Sequence, residues 1–262
     1  MLIFNQRRRR MLSYERQQQI LELLKQERFV TVPYLCKKLY SSSATIRRDL
    51  QELHDVGQLR RVRGGATTIE SFSEDAPFLL RTNTELEKKK SIASLALSYI
   101  KDSDILLFDS SSTVTALAKL LNGHKHLTVV TNGLVTLSVL NEHPSMKLYA
   151  IGGRIQNQSS MVGPDALSMI GQYYADKLFF SCCGLSTGAG ITEANEENAR
   201  IKREMLLHAK EKILLCDSTK LGKTFFSKTC EITDIDMIIT DRKPDSDMIS
   251  LYQNRVSFVF PS

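Results

Sequence analysis

"SSSATIRRDL", residues 41–50, decides how the chain is read. Three serines precede a threonine, an isoleucine and two adjacent arginines. Serine favours caps and turns over helix interiors, so the stretch predicts a break between helices. A new helix is expected from about residue 44 to residue 56, with Gly57 placed to end it. At about 100° per residue, Ile46, Leu50 and Leu53 fall within a narrow arc and must face a core. Arg48 then points almost directly away from that arc. Ala44 and Gln51 flank Arg48, and Thr45 and Arg47 lie on the two shoulders. The outward face near the helix start is therefore small, hydroxylated and doubly cationic. A helix lying in the major groove of DNA needs this surface. Small residues permit close approach, arginine bonds guanine bidentately, and hydroxyls or amides at the helix start hold phosphate. Alone, an arginine pair reads as an ordinary solvated face, with Asp49 and Glu52 as partial partners. The flanking sequence decides between the two.

Upstream, "SYERQQQILELLKQ" (residues 13–26) carries Ile20, Leu21, Leu23 and Leu24 at helical spacing, with Ser13 as the expected N-cap. "TVPYLCKKLY" (31–40) predicts a second short helix, with Thr31 able to cap it, Pro33 tolerated in its first turn, and Leu35 and Leu39 on one face. The helix with the arginine pair follows across a tight turn, which is helix-turn-helix spacing. Downstream, "QLRRVRGGATTI" (58–69) places Arg60, Arg61 and Arg63 among the apolar Leu59 and Val62, and its two glycines predict a hairpin turn. A basic hairpin after a recognition helix is a wing, whose arginines reach the DNA backbone or an adjacent minor groove. The candidate DNA contacts are thus Ser42, Ser43, Ala44, Thr45, Arg47, Arg48 and Gln51 on the helix, and Arg60, Arg61 and Arg63 on the wing.

The whole chain agrees. Of its 262 residues, 42% are hydrophobic and 24% charged, as in a soluble globular protein of one large or two ordinary domains. The net charge of +6 is divided unevenly: residues 1–70 hold 14 Lys and Arg against 7 Asp and Glu, and the rest of the chain is close to neutral. A basic first quarter on a neutral remainder suggests a nucleic-acid-binding segment attached to a second domain. No apolar run approaches the roughly 18 residues of a membrane span. "MLIFNQRRRRML" has its arginines after its short apolar stretch, the reverse of a secretory signal. A cytoplasmic protein is expected. Either Met11 is the natural start, or the arginines at 7–10 form a basic arm; both stay open. The five cysteines, Cys36, Cys182, Cys183, Cys216 and Cys230, are scattered without a CxxC pair. They predict free thiols and neither a metal site nor a cofactor motif.

From about residue 70 to residue 88 the pattern lapses, as in a linker. Helical and extended segments then alternate to residue 262. The strands read "DILLFD" (104–109), "LTVVTN" (127–132), "KLYAIGG" (147–153), "KLFFSCCG" (177–184), "KILLCD" (212–217), "MIIT" (237–240) and "VSFVF" (256–260). Among the helices between them are 89–100, 113–122, 134–142 and 196–210. Continuous apolar strands alternating with helices predict an α/β domain with a mainly parallel sheet covered on both faces. Ligands of such sheets bind beyond the carboxyl ends of the strands. Those ends hold Asp109, Ser110, Ser111, Ser112 and Thr113; Thr131 and Asn132; Gly152 and Gly153; Gly184; and the run from Asp217, where Lys220 supplies a countercharge. Hydroxyls and amides at strand-to-helix junctions suit a phosphate group.

These residues carry a resemblance. "ERQQQILELLKQ" followed by "TVPYLCKKLYSSSATIRRDLQELHDVGQLRRVRGGA" closely resembles the DNA-binding domain of the DeoR family of bacterial transcription regulators. It continues through "FDSSST", "VVTNG", "IGGRIQNQSSMVGPDAL", "CGLSTGAGIT", "EANEENARIKREML" and "CDSTKLGKTFF", nearly to the C-terminus. One departure is Ser111, where the family usually has glycine. The resemblance implies a winged helix-turn-helix over 13–69, a linker over 70–88, and over 89–262 a domain similar in fold to pentose-phosphate isomerases that binds phosphorylated sugars. It implies double-stranded operator DNA as partner, a phosphorylated sugar as effector, a homo-oligomer (dimer or tetramer), and repression of a sugar or polyol catabolism operon. The alternative is an isomerase-like enzyme with an accessory DNA-binding domain. Asp109, Glu193, Glu196, Glu197, Asp217 and Lys220 would be its acid–base candidates. Fold similarity to an enzyme is weak evidence of catalysis, and a chain that spends seventy residues on DNA is expected to use its pocket to sense.

Overall fold

The apolar arc at residues 46, 50 and 53 closes a small three-helix core. In the computed structural model, which describes residues 12–27, 29–62, 64–67, 78–143 and 145–261, the chain divides into two units, Met1–Leu80 and Arg81–Ser262. The first contains α1 (Ser13–Glu27), β1 (Phe29–Thr31), α2 (Val32–Lys38), α3 (Ser43–Asp55), β2 (Arg60–Val62) and β3 (Gly65–Thr67). Ile20 and Leu24 of α1, Leu35 of α2, and Ile46, Leu50 and Leu53 of α3 are buried together with Val30, Leu39 and Leu59.

The caps explain where these helices begin and end. Thr31 Oγ1 accepts the Tyr34 N–H at 3.2 Å, and Ser42 Oγ accepts the Thr45 N–H at 3.2 Å. α3 closes through Gly57, whose φ of +71° lets its N–H reach His54 O at 2.9 Å and the next N–H, of Gln58, reach Leu53 O at 2.8 Å. Ser13 is not the cap expected of it. The first α1 bond, Arg16 N–H to Leu12 O, puts Leu12 at that position, and the Ser13 hydroxyl turns to Asp49.

The wing forms as β2–β3, and β3 pairs on its other side with β1, a three-residue strand too short to be read from its sequence. The second glycine of the "GG" pair is not in the turn. Gly65 is the first residue of β3, opposite both Thr31 and Val62, and a Cβ there would sit 2.1 Å from Val30 O. Arg63, the arginines at 7–10, Met11 and residues 68–77 lie outside the described residues.

Where a patternless linker was expected, the described part is helical: α4 (Phe78–Asn83) and then α5 (Leu86–Leu97), which begins before the expected residue 89. Lys89 reaches back to the carbonyls of Arg81 and Thr84, tying α5 to α4. There follow β4 (Ile105–Phe108), α6 (Ser112–Ala118), β5 (Thr128–Thr131), α7 (Leu134–Leu140), β6 (Lys147–Ala150), β7 (Arg154–Gln156), β8 (Ser160–Val162), α8 (Pro164–Ile170) and β9 (Ala175–Phe180). The chain continues through β10 (Gly184–Ser186), β11 (Gly190–Glu193), α9 (Glu196–Leu207), β12 (Ala209–Leu215), β13 (Ser227–Cys230), β14 (Met237–Ile239), α10 (Ser246–Tyr252) and β15 (Ser257–Val259).

The seven expected strands make one seven-stranded sheet, ordered β15-β14-β12-β9-β4-β5-β6, with every neighbouring pair parallel. Alternate strand residues are buried on opposite faces, which is why the strands read as unbroken apolar runs. Leu106, Phe108, Ile213 and Leu215 pack with Ile92 of α5, Val114 of α6 and Leu140 of α7. Leu107, Phe180, Leu214 and Ile238 pack with Ala166 of α8, Ile201 of α9 and Met248 of α10. The helix expected over 196–210 stops at Leu207, because Ala209 already pairs with Ala175 as a strand. The order reverses between β4 and β9, and a crevice opens beyond the carboxyl ends of strands at such a reversal. Two antiparallel additions, β7–β8 and β10–β11–β13, border these ends.

Candidate functional site

On α3 the packing side and the outward side separate cleanly. Ser42, Ser43, Ala44, Arg47 and Arg48 are exposed, and Thr45 and Gln51 half-buried. Arg48 makes a loose i,i+4 pair with Glu52, Nε to Oε1 at 3.7 Å, and its side chain stays 69% exposed. Glu52 also accepts from Gln17 Nε2 at 2.6 Å.

Asp49 does not partner the arginines beside it. It is fully buried, and its carboxylate receives Arg16 Nε at 2.5 Å, Arg16 Nη2 at 3.0 Å and Ser13 Oγ at 3.1 Å. The Asp49 hydrogen bond holds the Arg16 guanidinium above its ordinary range. The pair pins the recognition helix to α1 and leaves the outward cations with little neutralisation. Gln51 is tied to the wing: it accepts from Arg61 Nη1 and donates to Asp55 at 2.6 Å. Arg60 and Arg61 are exposed on β2. The wing and the helix thus present one basic surface.

In the second unit, the residues flanking the β4/β9 reversal converge. Asp109 follows β4, is 1% exposed, and accepts the Ser111 N–H at 2.9 Å on one oxygen and the Ser181 N–H at 3.0 Å on the other. Lys202 of α9 comes within 3.3 Å of that second oxygen, donates to Ser181 O at 2.7 Å, and pairs with Glu193. Burial opposes the Lys202 charge, but Glu193 and Asp109 outweigh it and hold the ammonium above its ordinary range. Lys220 donates to Ser181 Oγ at 2.9 Å and lies 3.4 Å from Asp217; burial opposes its charge, and Asp217 together with the Cys182, Cys216 and Cys183 thiols holds it above its ordinary range. Burial would raise the Asp217 carboxyl; Lys220 and the Thr219 hydroxyl pull it below the usual range instead.

The remaining expected residues fall into two groups. Near the reversal, Ser110 Oγ meets Ser160 Oγ at 2.6 Å, Ser111 Oγ caps α6 through the Val114 N–H at 3.2 Å, and Ser112 Oγ donates to Arg81 O at 3.3 Å. Thr131 Oγ1 accepts the Gly133 N–H at 3.0 Å, and Asn132 Nδ2 donates to Met161 O at 3.0 Å. Thr113 Oγ1 and Asn132 Oδ1 are buried without a hydrogen-bond partner, a condition that a ligand relieves. The glycines are placed otherwise. Gly152 donates to Met169 Sδ of α8, Gly153 packs against the Val162 carbonyl of β8, and Gly184 packs against the Lys223 carbonyl. At each of the three a neighbouring element approaches the backbone closely.

Lys202, Ser181, Lys89 and Arg81 were not singled out in the sequence. Lysines on amphipathic helices are ordinarily solvated, and only the i−3 and i+3 neighbours of Lys202, Ala199 and Met205, hinted that this one faces inward. Of the isomerase candidates, Glu196 and Glu197 pair with Arg200 and Arg154 at the start of α9. All five cysteines are free; Cys182 Sγ and Cys216 Sγ are 3.9 Å apart, and burial pushes the Cys183 thiol up to about 12. Among the described residues no group of three His, Cys, Asp or Glu could hold a metal ion, and no helix is long and apolar enough to cross a membrane.

Residues 16–72 match the DeoR-like helix-turn-helix domain, and residues 84–242 match the DeoR C terminal sensor domain. The HTH-type transcriptional repressor GlcR of Bacillus subtilis is 36% identical over 90% of this chain and 91% of its own length. The HTH-type transcriptional regulator GolR of Listeria innocua is 33% identical over 93% and 96%. The lactose phosphotransferase system repressor of Staphylococcus epidermidis is 32% identical over 87% and 92%. Among solved structures, a D-ribose-5-phosphate isomerase with phospho-erythronic acid aligns with a TM-score of 0.39 and 17% identity, over 52% of this chain and 54% of that one. With a helix-turn-helix match on the unit bearing the basic surface and a sensor match on the unit bearing the strand-end cluster, the chain belongs to the DeoR family of transcriptional regulators.

Proposed function

We propose that the protein represses a sugar or polyol catabolism operon and is released from its operator by a phosphorylated sugar. The observation that carries this is the outward face of α3: small and hydroxylated at its start, doubly cationic at Arg47 and Arg48, and backed by a helix fixed from behind through Asp49. Ser42, Ser43, Ala44, Thr45, Arg47 and Arg48 face the groove in this reading. Arg60, Arg61 and Arg63 form the wing contacts, and Gln51 orients Arg61 rather than reading a base. Phosphotransferase repression in a relative's name supports a phosphorylated signal. The Thr113 and Asn132 oxygens, buried without a hydrogen-bond partner, are groups that a polyhydroxylated anion would satisfy.

Release requires the effector to prefer a sensor arrangement in which paired DNA-binding units no longer match their half-sites. The reading therefore includes a homo-oligomer, a dimer or tetramer, acting on double-stranded DNA in the cytoplasm without a cofactor. Catalysis is not part of it. The relatives named above are transcriptional repressors and regulators, which supports a sensing role.

The test is a gel-shift titration against duplexes from the protein's own upstream region, with excess nonspecific competitor, repeated across a panel of sugar phosphates. A competitor-resistant shift abolished by one compound is expected. A shift that no compound changes counts against the sensor role, and the absence of a resistant shift counts against the DNA-binding assignments.

A further inference from the structure

Four of the five cysteines belong to the sensor unit, and two of those four touch. Cys182 follows β9 and Cys216 follows β12. Those strands are parallel neighbours in which Leu214 pairs with Phe180, so two residues further on Cys216 comes opposite Cys182. Both side chains enter one core cluster, Cys216 wholly buried and Cys182 nearly so, and the Cys182 S–H donates to Cys216 Sγ at 3.9 Å. Cys183 is turned elsewhere, donating to Glu193 Oε2 at 3.4 Å, and Cys230 lies on β13. A disulfide sets its sulfurs about 2.05 Å apart, a distance that rotation of two touching side chains can close. The pair also adjoins the strand-end cluster. Ser181, just before Cys182, gives its N–H to Asp109, while its carbonyl and hydroxyl accept from Lys202 and Lys220. Asp217, just after Cys216, pairs with Lys220. Lys220 thus bridges the two segments, and its charge acts on both thiols.

We propose that Cys182 and Cys216 are a redox pair, closed by hydrogen peroxide into a disulfide that ties the end of β9 to the end of β12 and, by fixing Ser181 and Asp217, keeps the effector from releasing the operator. The bridge stands on the sulfur contact alone; its effect on release rests on the sensor reading above. Cys216 accepts the Cys182 S–H and has Lys220 beside it, so it is the attacking sulfur. Its thiolate takes one peroxide oxygen, the O–O bond breaks, and the leaving hydroxide recovers the proton that Cys216 lost, giving water and a sulfenic acid. The Cys182 sulfur then attacks the oxidised sulfur. The S–S bond forms, the S–O bond breaks, and hydroxide departs as water with the Cys182 proton. Two thiols lose two electrons, and one peroxide becomes two waters. The bond to Cys216, then burial, raise the Cys182 thiol well above its ordinary range, so it keeps its proton until that second step. Burial makes the reaction slow and selects an oxidant as small as peroxide. In a reducing compartment such a bridge is transient, and thiols reopen it.

The experiment treats the full-length protein with hydrogen peroxide, alkylates it, and maps its peptides without reduction by mass spectrometry, with fragmentation that separates Cys182 from Cys183. Cys182→Ala, Cys216→Ala and a double variant, Cys183→Ala with Cys230→Ala, are run beside it; the double variant keeps the pair. One bridge, Cys182 to Cys216, is expected in wild type and in the double variant, leaving three of the five wild-type thiols to alkylation and reopening with dithiothreitol. Operator release is then titrated with glucose 6-phosphate and the other sugar phosphates of the panel, before and after oxidation. The half-releasing concentration should rise by about tenfold or more in wild type and the double variant, and in neither single variant. No bridge, a bridge to Cys183 or Cys230 instead, or release unchanged by a complete bridge overturns the inference and leaves the proposed function standing. A Cys182–Cys216 bridge in a protein whose reduced form answers no sugar phosphate supports the redox pair and counts against the sensor reading.

Discussion

Neighbouring residues on one helix have opposite fates here, and that contrast can be tested one side chain at a time. Arg48 buries nothing, so Arg48→Ala should leave thermal unfolding unchanged while costing about 1–3 kcal/mol of specific operator binding in a competitor-resistant gel shift. Asp49 is the inverse. Removing it takes away the buried carboxylate that the Arg16 guanidinium pairs with, so Asp49→Ala should destabilise the DNA-binding unit by about 3–5 kcal/mol in urea unfolding. Lys89 gives a pH signature. Its folded pKa of about 8 lies below the ordinary lysine value, so between those two values the unfolded chain binds the extra proton and stability rises with pH. Below pH 8 the buried charge costs its full amount. Lys89→Met should therefore be more stable than wild type at pH 7, with the advantage fading towards pH 10 in urea titrations. The thiols of Cys183 and Cys230, pushed up to about 12 by burial, ionise in that window only in the unfolded chain, a contribution that cancels in the difference. Of these three roles only that of Arg48 was legible, because the helical pattern sets it opposite Ile46, Leu50 and Leu53; residue type alone does not mark Asp49 or Lys89 as buried with a partner.

At the scale of elements, legibility followed length and polarity. The seven strands of the parallel sheet were readable because burial on both faces makes each an unbroken apolar run, and the two helices of the recognition motif because their caps are side chains, Thr31 and Ser42. The three-residue strands β1, β7, β8 and β10 were not, since so short a segment shows no period. The strand-end loops are legible as polar runs after apolar strands, whereas the close approach of neighbouring backbone at Gly153 and Gly184 has no mark in the sequence beyond the glycines themselves. The wing offers a test of such packing. A Cβ at Gly65 would collide with the Val30 carbonyl, so Gly65→Ala should unpair β1 from β3. The expected result is a lower melting temperature for the DNA-binding unit and lost operator binding, with sensor-unit unfolding unchanged by calorimetry.

For the whole molecule, the proposed repression depends on pairing of DNA-binding units. The solution mass should be a multiple of 29.6 kDa by sedimentation equilibrium, and a strictly monomeric protein at operator-binding concentrations would remove the basis for half-site spacing. Seen at this scale, the burial of Asp49 has a bearing on descent. The residues that hold α3 in place, at 46, 49, 50 and 53, are distinct from those it displays at 44, 47 and 48. Exchange within the displayed set does not disturb the scaffold. A duplicated copy of such a protein is thus free to drift to a new address on the chromosome while inheriting its architecture, and relatives that share a third of their residues need not share a single target.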